Sequence, residues 1–204
     1  SGELLFEGAV NAVLPGGNLY VSNSKYYRYK ILQSNDDKGN QVLTIRGTDK
    51  SRKLDFIQQI TLFANIAAIG FEAVYKNMSG QDINIRSLEP LRIVQQNGGV
   101  LFFDNAEKCL TNGAMYYDAG TIQDLASPWV RPVPYGETKG GVPGDTLLAA
   151  NPLTAQSWWN ISLFSKVESP ALTAGYLLNA NTLGRLQILR HDDRHLSLVA
   201  ESVL

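Results

Sequence analysis

Alternation of apolar and polar residues with a period of two recurs along most of this 204-residue chain. In IGFEAVYKN (69–77), Ile69, Phe71 and Tyr75 fall on one side and Glu72 falls on the other. Such alternation is typical of half-buried β-strands, and helical periodicity is nearly absent. Many short alternating segments, separated by Gly, Asn and Asp turns, predict an all-β fold of two packed antiparallel sheets, a β-sandwich.

Helix is expected to be minor. DNAEKCL (104–110) and ANIAAIG (64–70) are the two segments that could each form a turn or two. The stretch 127–156 holds five of the eight prolines and interrupts the strands. Because strands of similar texture resume after it, we predict a single domain over 1–204 with an irregular excursion at 127–156. The strand pattern that runs to Leu204 favours a piece of a longer protein.

Composition and charge limit the classes of partner that the chain is expected to bind. The formal net charge is -1 and no basic stripe is present, which argues against nucleic acid as a partner. No apolar run approaches the roughly 20 residues of a membrane-spanning helix. Cys109 is the single cysteine, so an internal disulfide is excluded, and we expect a buried, inert thiol. The sequence does not identify the compartment, and a secreted or extracytoplasmic location stays open. The chain shows no signal segment.

Catalytic and metal-binding patterns are weak. The two histidines, His191 and His195, lie in HDDRH, where two aspartates join them. This spacing could suggest a metal site, but the segment lies between two strand patterns, where aspartates are ordinary turn residues. No nucleophile elbow or phosphate-binding loop is present. The carboxylates lack a distinctive context, so we predict no catalytic, cofactor-binding or metal-binding residue. Those considered are Asp104, Asp118, Asp124, Glu137, Asp145 and Glu168.

Aromatic residues give the remaining candidates. If SWWNISLF (157–164) is one strand, Trp159 shares a face with apolar residues and belongs to the core. Trp158 then lies on a mixed face, where the irregular loop, a neighbouring domain or a ligand would cover it. Trp129 and Tyr135 lie in the Pro/Gly-rich stretch. They either pin that loop to the sheet or contact a carbohydrate or a companion domain.

Two short motifs match the acceptor pattern for N-linked glycans, in which an asparagine is followed two residues later by serine or threonine. They are NMS (77–79) and NIS (160–162). The pattern carries meaning only in a protein that meets the glycosylation machinery, and the sequence does not identify the source.

Two longer stretches resemble a known family. They are ITLFANIAAIGFEAVYKNMSGQDINIRSLEPLRIV (60–94) and SWWNISLFSKVESPALTAGYLLNANTLGRLQI (157–188). Both are similar to the N-terminal β-sandwich, or supersandwich, of α-galactosidases and raffinose-synthase-like enzymes of glycoside hydrolase clan D. The resemblance implies a non-catalytic domain that supports a following (β/α)₈ barrel, shapes its substrate cleft and helps form homo-oligomers. The catalytic aspartates would lie on that barrel, beyond Leu204.

Three alternatives stay open. The first is a stand-alone carbohydrate-binding module with Trp129, Tyr135 or Trp158 as stacking platforms. The second is a structural or adhesion-type sandwich with a protein partner. The third is an all-β enzyme complete in this chain, which the undistinguished carboxylates make the weakest of the three.

Overall fold

The fold is all-β and antiparallel, with sandwich-like layering, which confirms the fold class that the alternation predicts. No helix occurs among the residues that the computed structural model describes. These are residues 9–13, 19–21, 27–51, 53–94, 101–103, 106–112, 120–125, 154–164, 171–177, 183–191 and 195–203.

The contacts between Cα atoms divide the chain into two compact units, over residues 9–91 and 92–203, with the boundary inside β7. The strands as far as this boundary are β1 (Ala9–Val13), β2 (Leu19–Val21), β3 (Tyr27–Asn35), β4 (Gln41–Asp49), β5 (Leu54–Leu62), β6 (Ile69–Asn77) and β7 (Ser87–Ile93). The strands after it are β8 (Leu101–Phe102), β9 (Lys108–Thr111), β10 (Thr121–Asp124), β11 (Thr154–Trp158), β12 (Asn160–Phe164), β13 (Leu172–Gly175), β14 (Leu183–Arg190) and β15 (His195–Val203). The prediction of a single domain stays a prediction.

In the unit over residues 9–91, β3, β4, β5 and β6 form a four-stranded meander in chain order. Its first two turns are closed by aspartates. Asp36 accepts hydrogen bonds from the backbone N–H groups of Lys38 and Asn40, and Gly39 adopts the left-handed conformation at φ 81°. Short polar side chains that bond to the backbone two residues on are typical of such turns. These hydrogen bonds close the turn between β3 and β4.

The second turn, between β4 and β5, is organised by Asp49. Its carboxylate accepts from the N–H groups of Ser51, Lys53 and Leu54, at 2.7, 3.1 and 3.3 Å. Burial opposes ionisation of this carboxyl, but the hydrogen bonds from Ser51, Leu54 and Lys53 outweigh it and lower the pKa of Asp49.

The unit over residues 92–203 contains two sets of paired strands. In one, β14 lies between β11 and β15, and β8 also pairs with β15. In the other, the order is β10-β9-β12-β13. Each set contributes buried aliphatic side chains at alternate positions, and burying such a side chain stabilises the fold by about 1.5–3 kcal/mol. The buried residues are Ala155, Leu186, Ile188, Leu196 and Leu198 in the first set and Cys109, Ile161 and Leu163 in the second.

Both expected helical turns were wrong. Lys108–Thr111, which overlaps DNAEKCL, forms strand β9 between β10 and β12. Residues 64–67 form a bend, and Ile69 already begins β6. In both places tertiary pairing overrides a weak local preference. Of the predicted excursion at 127–156, residues 127–153 lie outside the described residues, whereas 154–156 belong to β11.

Candidate interaction surface

One side of the β3–β6 sheet is apolar along almost its whole length, and we call it the apolar face. The strand registers place its members in rows, such as Tyr29, Gly47, Phe56 and Tyr75. Successive residues of a strand point to opposite sides, so alternate positions on each strand build one face. The apolar face consists of Tyr27, Tyr29, Ile31, Leu43, Ile45, Gly47, Leu54, Phe56, Ile60, Leu62, Ile69, Phe71, Ala73 and Tyr75, and the polar residues Gln33, Asn35, Gln41 and Gln58 share this side.

One end of the apolar face is buried under its own aromatic rings. Tyr27 and Phe56 are 5% and 2% exposed, and their ring centroids lie 5.0 Å apart in an edge-to-face arrangement. The Tyr27 hydroxyl donates to the Leu54 carbonyl at 2.9 Å, which satisfies the polar end of the ring. Burial raises the pKa of Tyr75, and the nearby Tyr27 and Glu89 raise it further. This end of the sheet is therefore a small core.

The other end of the apolar face is open to solvent. Ile31, Leu62 and Ile69 are 63%, 49% and 40% exposed, and Leu43, Ile60 and Phe71 beside them are only half-buried. Leu62 and Ile69 are direct cross-strand partners, and the row of Leu43, Ile60 and Phe71 connects them to Ile31. Single exposed aliphatic residues are ordinary, whereas a contiguous apolar patch is typical of an interaction surface.

The opposite side of the same sheet is more polar. Arg28, Lys30, Arg46 and Lys76 are exposed there, and threonines and glutamine lie between them. Lys30 lies directly opposite Arg46 across β3 and β4. Its aliphatic residues are fewer, and Ile57 and Val74 form a cross-strand pair among them. The two sides of the sheet are therefore suited to different surroundings, and the apolar face offers the larger apolar contact.

The predicted strand over 157–164 is broken at Trp159, which corrects the interpretation of SWWNISLF. Trp159 has a positive φ of 69°, so the chain turns there. Its N–H donates to the Gly184 carbonyl at 2.9 Å, and its carbonyl accepts from the Tyr176 N–H at 2.7 Å. A left-handed conformation is rare for a bulky residue and persists only where the surroundings fix it. The backbone of Trp159 thus forms a corner between β11 and β12.

Because of this corner, the burial of the two tryptophans is the opposite of what the sequence predicts. Trp158 ends β11 and is 5% exposed, whereas the expected core residue, Trp159, is only half-buried. The prediction that Trp159 belongs to the core was therefore wrong, because alternation was counted through a residue that is not in a strand. Trp158 is therefore buried by packing within the chain. Its contact with a carbohydrate or a companion domain stays a prediction.

Side chains on both sides of the corner hold it in place. The Ser157 hydroxyl donates to the Asn160 carbonyl and accepts from the Asn112 N–H, the latter at 2.6 Å. The Asn112 side-chain amide donates to Asn160 Oδ1 at 2.7 Å, and the Asn112 carbonyl accepts from the Trp158 N–H at 3.0 Å. These bonds satisfy polar groups that the turn would otherwise leave unpaired. This hydrogen-bond network stabilises the corner, and it accounts for the positions of these side chains without a ligand.

Trp129 and Tyr135 lie outside the described residues, so their predicted contact with a carbohydrate or a companion domain stays a prediction. HDDRH connects β14 to β15, and the His191 N–H donates to the His195 carbonyl at 2.9 Å. The expected position between two strands is confirmed. Among the described residues, no group of three His, Cys, Asp or Glu side chains is placed to hold a metal ion.

Sequence reasoning missed one polar contact at this connection. His191 Nε2 lies 2.7 Å from the Ser197 hydroxyl. No signal in the sequence marks Ser197, because its position follows from the register that pairs Leu189 with it. Ser197 is buried and lies in a regular strand, so this pair is a structural hydrogen bond and gives no nucleophile.

Cys109 fulfils the expectation of a buried thiol. It lies within β9 and has no exposed surface. Burial raises its pKa from 9.0 to about 12. Because the thiolate is the reactive form, the Cys109 thiol is inert at neutral pH.

Comparisons with family models and curated proteins give no indication of the function, so a functional proposal rests on the apolar face. No family model matches the chain, and no curated protein matches it. Nothing in the described part of the chain is a helix of the length and apolarity needed to cross a membrane. The resemblance to α-galactosidases therefore stays a prediction.

Proposed function

We propose that this chain is a non-catalytic β-sandwich part of a glycoside hydrolase similar to α-galactosidases, and that the apolar face contacts the companion catalytic barrel. The proposal combines the resemblance of residues 60–94 and 157–188 with the antiparallel all-β fold. The observation that carries it is the exposed end of the apolar face around Ile31, Leu62 and Ile69. Burying such a patch against another domain removes apolar surface from water at about 25 cal/mol per Å².

The role of such a domain is mechanical. Its sheets support the barrel and hold the rim of the substrate cleft, while the hydrolytic carboxylates belong to the barrel. Residues 60–94 include β6, which carries Ile69, and the last three residues of β5, which end at Leu62. The resemblance and the exposed patch therefore fall on the same strands, which supports their connection.

Two observations test the catalytic part of the proposal. The region encoded after Leu204 should alternate strands and helices, and a stop codon there would contradict the proposal. The chain alone should not hydrolyse nitrophenyl galactoside, whereas the chain joined to that region should. Turnover by the chain alone, abolished by denaturation, would also contradict it.

A charge scan tests the surface. Ile31→Lys and Leu62→Lys should weaken association of this chain with the separately produced barrel by at least tenfold. The matched controls are Leu32→Lys and Val74→Lys, which place the same charge on the opposite side of the same sheet, at residues that are 40% and 50% exposed. Circular dichroism checks that all four variants fold. Equal effects on both sides, or no effect on either, would rule out the apolar face as the contact.

A further inference from the structure

The two glycosylation motifs occupy different environments. Asn77 is the last residue of β6 and is exposed, and the chain turns directly after it. Met78 is 43% exposed, and Gly80 adopts a left-handed φ of 72° with open space where a side chain would lie. The Met78 N–H donates to the Lys53 carbonyl at 2.8 Å, which anchors the turn. NMS (77–79) therefore lies in an ordered, accessible turn.

Hydrogen bonds bring the asparagine and serine of this motif together. Asn77 Oδ1 accepts from the Ser79 N–H at 2.9 Å and lies 2.8 Å from the Ser79 hydroxyl. A hydrogen bond to the carbonyl oxygen of an amide polarises it and makes its N–H more acidic. Asn77 Nδ2 donates one proton to the Gln81 carbonyl at 2.7 Å, and its second proton is left for substitution.

The second motif, NIS (160–162), lacks these properties. Asn160 is half-buried at the start of β12, between Gly175 on β13 and the side chain of Asn112, which donates to it. Ser162 is 9% exposed, and its hydroxyl lies 2.9 Å from the Thr173 hydroxyl. A sugar on Asn160 would displace the bonds that hold the Trp159 corner.

We propose that Asn77 is an acceptor site for an N-linked glycan and that Asn160 is not. The donor is an oligosaccharide carried on a lipid pyrophosphate, and a transferase of the compartment catalyses the transfer. The bond between sugar C1 and Asn77 Nδ2 forms, and the bond between C1 and the pyrophosphate oxygen breaks with its electron pair on that oxygen. Nδ2 gives up one proton, which passes to solvent. The lipid pyrophosphate leaves. Acceptor motifs in surface turns are the sites that carry such glycans.

A glycan at Asn77 is compatible with the contact proposed for the apolar face. By strand register Asn77 lies on the same side of the sheet as the apolar face, opposite Leu54, whereas Ile69 lies opposite Leu62 at the other end of the same strand pair. At about 3.4 Å per residue these ends are roughly 27 Å apart. The modification therefore does not depend on the proposed function, and either proposal can fail without the other.

The test is translation of the full chain behind a cleavable secretory signal in the presence of microsomes, with protease protection to establish translocation. The protected chain should carry one glycan that an amidase removes, and mass spectrometry should locate it at Asn77. Asn77→Gln and Ser79→Ala should abolish the mass shift. Ser79→Thr, which keeps the hydroxyl, should retain it, and Asn160→Gln should leave it unchanged.

Two outcomes would overturn the proposal. One is a protected wild-type chain without a glycan, and the other is a glycan that persists in Asn77→Gln. A protected wild-type chain that carries its glycan at Asn160 in the folded fraction, as separated by resistance to limited proteolysis, would overturn the second half. Because site mapping on the wild-type chain decides these outcomes, a variant that fails to fold does not leave the proposal undecided.

Discussion

Arg185 on β14 lies directly opposite Glu201 on β15, and their side chains form an ion pair that is almost fully buried. The Arg185 Nε donates to Glu201 Oε2 at 2.9 Å. The same side of the sheet carries Gln156 and Gln187, with the Gln187 amide nitrogen 3.3 Å from the Gln156 oxygen. This sheet is therefore buried on both sides, and the side that carries the paired polar groups also holds Trp158 and Val199.

Removing one partner of this ion pair should destabilise the fold strongly. Glu201→Gln and Arg185→Met should each lower the free energy of unfolding by about 3–5 kcal/mol, because each leaves a buried group without its charged partner. The double variant Arg185→Met/Glu201→Leu should recover most of that loss, since no buried charge remains. Urea denaturation of the four proteins gives the coupling free energy. Additive losses would contradict the pairing.

The two tryptophans should respond to substitution in the order opposite to that of a continuous strand. Trp158→Ala should cost about 3–5 kcal/mol because the side chain is buried. Trp159→Asn should cost less than Trp158→Ala, and Trp159→Val should cost about 1–2 kcal/mol more than Trp159→Asn, because a β-branched residue tolerates a positive φ poorly. Denaturant unfolding of these variants measures the differences. A larger loss for Trp159→Asn than for Trp158→Ala would contradict the corner.

Gly47 should not accept a side chain while Phe56 is present. A Cβ atom at this position would lie 2.0 Å from Phe56 Cε1, so the ring would have to move. Gly47→Ala should lower the free energy of unfolding by about 1–3 kcal/mol in the wild-type chain. The same substitution should lower it by less in a Phe56→Leu background. Gly39→Ala is the control, since its strain comes from a positive φ with no atom nearby. It should show no coupling to Phe56.

The Asp49 turn should give stability that depends on pH. The lowered pKa means that the carboxylate stabilises the fold at pH values above about 4 and that this contribution is lost as the pH falls through the lower folded value. Asp49→Asn should therefore cost about 1–3 kcal/mol at pH 7 and progressively less towards pH 3. The exposed Asp37→Asn is the control. A difference from wild type that stays constant between pH 7 and 3 would show that ionisation of Asp49 contributes nothing.

Sequence periodicity predicted the fold class because strand alternation is a local consequence of burial on one side. The face shared by Ile69, Phe71 and Tyr75 was found in this way. Periodicity could not place the corner, because the positive φ of Trp159 depends on hydrogen bonds from distant segments at Gly184 and Tyr176.

The apolar face shows the same limit. The sequence identifies which residues share a side of the sheet, but not which end of that side is covered. That difference depends on the aromatic packing of Tyr27 on Phe56 and cannot be read from alternation. The exposure of Ile31 and Leu62 is therefore information that only the structure supplies.

The single-residue corner at Trp159 also determines where the chain tolerates insertions. A single residue, Trp159, joins β11 to β12. One added residue there would shift β12 by one position, so that Ile161 and Leu163 would point to the other side of the sheet. The turn at 36–40 is closed by Asp36 and linked by Asn40 to the Ala64 N–H, so an added tag or epitope belongs at the exposed Asp37 and Lys38. Of these two connections, the first fixes the spacing of the strands and the second can be redesigned.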